Sequence, residues 1–145
     1  MPTLSAWTVR AAFVWLTLAA LVGALILSRD ALGLPALATL IPIHAEMMLV
    51  GWTMQFAFGV AHWILPRRAA GEGRGALAPV LFVVVALNFG VMLVIAGATR
   101  GGRVLETLAA GAFALQAIPR VRAAGWGATG QEGDLVRLGK KAELS

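Results

Sequence analysis

Cysteine is absent from the 145 residues, which excludes disulfides, thiolate metal sites, thioether-linked prosthetic groups and cysteine nucleophiles. Charge is scarce as well. Asp, Glu, Lys and Arg make up 13% of the chain, against roughly a quarter in ordinary globular proteins. Histidine occurs only at His44 and His62, so any imidazole chemistry must use these two. No phosphate-binding glycine loop, carboxylate pair or nucleophilic triad is legible. The formal charge of +5 is modest, and its placement speaks to membrane orientation rather than to nucleic-acid binding.

What the chain has in abundance is apolar surface: 59% hydrophobic residues and a mean hydropathy of +0.82. A soluble domain of this size could not hide that much. The apolar residues fall in blocks near the roughly 20 residues that cross a bilayer as a helix. Four spans are predicted, at about 8–28, 42–65, 76–98 and 104–122. Arg29-Asp30 and the Gly33-Leu34-Pro35 turn close the first, which reads as an uncleaved helix. Residues 36–41 read as an interfacial turn. The fourth span reaches a normal length only if it continues past Pro119. The pattern thus predicts an all-α, integral-membrane four-helix bundle over 1–124. A polar, glycine-rich tail, 125–145, follows with little expected structure of its own.

Four spans put both termini on one side. Arg10, Arg67, Arg68, Arg74, Arg120, Arg122, Arg137, Lys140 and Lys141 lie on that side, while the other loops carry Arg29, Arg100 and Arg103. The positive-inside rule places both termini in the cytoplasm, with membrane lipid as the surrounding partner. His44 then lies near the outer face and His62 near the inner one.

At 100° per residue, His44, Met48, Gly51, Gln55, Phe58 and His62 form one stripe on the second helix. An ionisable side chain in hydrocarbon costs several kcal/mol unless compensated, so His44 is a candidate site by default. One reading is a polar seam satisfied against neighbouring helices. The other is a prosthetic group facing the stripe, with neutral imidazole as axial ligand and Gly51 leaving room beside it. Haem is the best candidate for such a group. Roughly 27 Å separate the two histidines along the helix, so they cannot ligate one iron from the same chain.

The segment HAEMMLVGWTMQFAFGVAHWILP resembles the second transmembrane helix of the haem-copper oxidase and nitric oxide reductase catalytic subunit. The matching positions are His44-Ala45, Met48, Gly59, Trp63 and the closing Pro66. Gly51-Trp52 is similar to the version in short, stand-alone subunit I-like relatives. The preceding helix with its Pro-containing loop, and Asn88-Phe89-Gly90, fit more loosely. The resemblance implies that His44 ligates a haem b iron, and on the stripe reading Met48, Gly51 and Gln55 would line the cofactor. It transfers no role to His62. The family's copper site and high-spin haem need histidines on later helices, so oxygen or nitric oxide reduction is not expected of these residues alone. The second axial position would be filled by His44 of a homodimeric partner, by another subunit, or by a diatomic gas.

His62, Glu46 and Glu106 are secondary candidates. His62 reads as an interfacial structural residue. Glu46 is about 200° around the helix from His44 and so is not a second ligand on that face. Glu106 reads as a solvated carboxylate in the first turn of its helix, the alternatives being that it carries protons or pairs with Arg103 or Arg100. The leading expectation is a small b-type haem protein for electron transfer or gas binding in a bacterial or archaeal cytoplasmic membrane. The rival is a haem-free accessory or assembly subunit of a respiratory oxidase or reductase complex. A transporter-like bundle is a weaker third, because no broken-helix pair marks a substrate path.

Overall fold

A computed structural model of the chain describes residues 3–65 and 77–142, with side-chain surroundings given up to residue 121. The described residues are helical, with no strand among them. Helix α1 is Thr3–Leu27. A 3-10 turn, Pro35–Leu40, leads into a composite helix α2: α-helical Ile41–Glu46, π-helical Met47–Met54 and α-helical Gln55–Ile64. Helix α3 is Leu77–Ile95 and α4 is Thr99–Ala142. Four helical stretches are long and apolar enough to cross a membrane: Thr3–Leu27, Pro35–Ile64, Ala78–Ile95 and Thr99–Val121.

The ends follow from local chemistry. After α1 and after α3 a glycine takes positive φ, +64° at Gly33 and +89° at Gly97. In each case the next N–H reaches five residues back, Leu34 N to Arg29 O and Ala98 N to Leu93 O. This is a Schellman closure, open to glycine because it has no Cβ. Pro42 sits in the first turn of α2, where its missing N–H costs nothing. Leu65 is extended (ψ 139°) because the following Pro66 disfavours helical backbone before it.

Two boundaries differ from expectation. The closure at Gly97 is so tight that α4 starts at Thr99, and Gly101-Gly102 lie inside the helix rather than before it. Glu106 is therefore past the first turn and gains nothing there from the helix dipole. The helix passes Pro119, as a full fourth span requires, and continues to Ala142 where little structure was expected. No further proline follows, and extending an existing helix is cheaper than nucleating one.

The fold is two antiparallel hairpins, α1/α2 and α3/α4, each closed on small residues. In the first, Gly51 lies under Trp15, and a Cβ there would stand 2.8 Å from Trp15 Cγ; Gly59 lies against Val9 and Thr8. In the second, a Cβ at Gly102 would stand 2.7 Å from Gly90 O, so the two backbones nearly touch. The core between the hairpins contains Trp15, Ala19, Met47, Val50, Val83, Ala86, Leu87, Val91 and Ala109. Polar and aromatic contacts also cross from one hairpin to the other. Trp15 Nε1 donates to Asn88 Oδ1 at 2.8 Å, and Phe58 stacks on Phe113 with centroids 4.1 Å apart.

Gly102→Ala should loosen α3/α4, because the obstacle is backbone and cannot rotate away. A cost of about 1–3 kcal/mol is expected, as for other overpacked sites. Gly111→Ala, with open space around it, should be neutral or slightly stabilising. Unfolding of both variants in detergent checks the contrast.

Candidate functional site

His44 occupies the first α-helical segment of α2 and points at α1, not along an open face. Its Nδ1 lies 2.9 Å from the Ala19 carbonyl oxygen. A carbonyl oxygen has no proton to give, so Nδ1–H is the donor. In the neutral ring the lone pair is then on Nε2, the arrangement in which a backbone carbonyl orients a metal-ligating histidine. The niche exists because position 23, one turn beyond Ala19, is glycine: a Cβ there would stand 2.8 Å from His44 Cε1. No hydrogen bond reaches Nε2 among the described residues. Beside the ring, a groove of about 470 Å³ is lined by Leu16, Ala20, Gly23, Ala24, Ile41 and Met48 among others. Its volume falls within the roughly 300–1,000 Å³ of small-molecule and cofactor sites.

The rest of the stripe divides between two neighbours, α1 and α4. Met48 shares the groove with His44. The space beside Gly51 is filled by the Trp15 indole. Gln55 is fully buried and donates from Nε2 to Thr8 O at 3.4 Å. Phe58 turns to α4. The reason is the π-helical stretch Met47–Met54, whose i→i+5 bonding widens the turn and breaks the 100° register. Thr53 fits that widened turn, its hydroxyl donating to Met48 O at 2.8 Å.

His62 is buried and faces Arg120, which is itself 2% exposed. Arg120 donates to the carbonyls of His62 (3.1 Å) and Leu65 (2.7 Å), two of the acceptors left open at the end of α2. Its Nη1 lies 3.4 Å from His62 Nδ1. A guanidinium cannot accept, so His62 Nδ1 is the acceptor and the neutral ring carries its proton on Nε2. The two histidines therefore hold opposite tautomers.

Glu46 and Glu106 depart most from expectation. Glu106 is not solvated: it is 6% exposed, and Glu46 is 4% exposed. Arg103 donates to both, to Glu106 Oε2 at 2.8 Å and to Glu46 Oε2 in a shorter contact. No carboxylate pair was legible in the sequence, yet the fold makes one, because α2 and α4 meet here at positions 60 residues apart. Gly23, the niche for His44, was not singled out in the sequence. Arg120 was counted only as orientation charge, although a cation directly after Pro119, where an apolar run closes, was the available signal.

Among the described residues no group of three or more His, Cys, Asp or Glu side chains could hold a metal ion. What His44 offers is a single imidazole lone pair on an apolar groove, suited to a metal already held by its own macrocycle. Nitrogen NMR of histidine-labelled protein should show one Nδ1-protonated ring and one Nε2-protonated ring. In Gly23→Val the signal of the first should shift as the ring leaves Ala19, while that of the second stays. The chain matches no protein-family model, no curated protein and no solved structure.

Proposed function

We propose that this chain is a small membrane b-type haem protein, with His44 as axial ligand through Nε2. The observation that carries the reading is the hydrogen bond from His44 Nδ1 to the Ala19 carbonyl. It leaves Nε2, on a ring that lines an apolar groove, with no hydrogen-bond partner among the described residues. A polar nitrogen in such surroundings is costly unless something binds it. The residues fit the group: a neutral oriented imidazole, a polarizable Met48 alongside, and small side chains at Ala20, Gly23 and Ala24 that admit a flat ring. Gly51 and Gln55 have no part in this version, because Trp15 and Thr8 fill the space next to them.

When bound, the haem supplies one-electron chemistry or a coordination position for a diatomic gas. The chain's own residues do the rest. Ala19 O holds the imidazole in one tautomer, Gly23 gives it room, and the leucines and alanines of the groove exclude water. Since one chain offers one such imidazole, His44 of a second copy across a twofold axis would complete the site. Four helices of spanning length and the arginine bias support reading it as a protein of a cytoplasmic membrane, with both termini inside and His44 toward the outer face.

The test is a visible spectrum of detergent-purified protein expressed with adequate haem. A Soret band is expected in the wild type and in His62→Ala, and not in His44→Ala. Its absence from the wild type would sink the reading. Low-spin iron in a dimer is the outcome for two shared histidines, and high-spin iron in a monomer would refute the shared site.

A further inference from the structure

The fold brings two carboxyl groups from different helices onto one guanidinium, and their hydrogen bonds do not balance. Arg103 reaches Glu106 Oε2 and Glu46 Oε2. Both glutamate side chains are more than nine-tenths buried, 7% and 2% exposed. Their other oxygens, Glu106 Oε1 and Glu46 Oε1, are buried and reached by no donor among the described residues. Yet Arg103 binds an oxygen of each, which holds the two carboxyl groups side by side. Two ionised carboxylates cannot share such a site without strong repulsion, and one guanidinium offsets only one of them.

Among the described residues, the surrounding elements bring no second cation onto the pair. Residues 77–95 of α3 contain no titratable side chain, and α1 has none between Arg10 and Arg29. On α2 the nearest such residue is His44, whose ring faces α1. On α4 Arg100 is exposed, one turn before Arg103. Gly90 of α3 backs Glu106, where a Cβ would stand 2.7 Å from Glu106 Cγ and 3.3 Å from its Oε1. A metal ion is disfavoured as the occupant, because Arg103 already sits on both carboxyl groups. What the cluster lacks is one hydrogen-bond donor.

We propose that Glu106 is a proton-binding site: its Oε1 holds a proton and donates it to Oε1 of the ionised Glu46, with Arg103 as counter-ion. The proton belongs to Glu106 because Arg103 approaches Glu46 more closely, which fixes the negative charge there. With the proton in place, one carboxylate faces one guanidinium and the cluster is neutral. The Arg103 side chain is 53% exposed, so it forms the boundary between the pair and the outside. Its rotation is the step through which the proton exchanges with water. The inference is independent of any cofactor at His44.

Infrared spectroscopy of the full chain in detergent near neutral pH tests it. The expected result is a carboxylic-acid C=O stretch above the amide region that shifts on transfer to D2O and is lost in Glu106→Gln. That variant places an amide donor where the proton was, so its unfolding midpoint should stay close to the wild type. A purely structural role for Glu106 would not give the band. Its absence from the wild type, or its persistence in Glu106→Gln, would overturn the proposal.

Discussion

In an apolar bundle a buried polar group has no water to fall back on, so each must find its partner across a helix boundary. That constraint holds the two hairpins of this protein together. One clasp sits at each level. Arg103 joins α4 to Glu46 of α2 at one end, Trp15 of α1 meets Asn88 of α3 in the middle, and Arg120 of α4 closes the end of α2 at the other. Apolar contact alone would let helices slide or rotate, since one leucine serves as well as the next. The clasps make one register better than its neighbours, a role polar residues play in other helical assemblies.

The small residues set how close the partners can come. Gly23 brings the imidazole to the Ala19 carbonyl, Gly51 seats Trp15 so that its indole N–H reaches Asn88, and Gly90 makes room for Glu106. Each sits next to a polar contact. The glycines are thus part of the polar network, although they carry no polar side chain.

How much of this was legible depended on the range of the interaction. The four spans were readable because length and hydropathy are local properties, and the expected 42–65 and 76–98 lie close to the observed 41–64 and Leu77–Ile95. The long passage of α4 across Pro119 followed from the same length argument. The π-helical stretch was not readable, since nothing in Met47–Met54 departs from an ordinary apolar helix until α1 is laid against it. The single-faced stripe from His44 to His62 failed for that reason. Of the Glu46–Arg103–Glu106 cluster, the Arg103–Glu106 pair was among the sequence alternatives, but the part of Glu46 lay beyond reach for a different reason: charge at helix ends reads as solvated unless the facing helix is known.

The continuity of α4 has a mechanical meaning. Its 44 residues make a rod roughly 66 Å long at 1.5 Å per residue, about twice the thickness of a bilayer's hydrocarbon core. The rod is thus longer than such a layer is thick. Arg120, its twenty-second residue, ties it at mid-length to the end of α2.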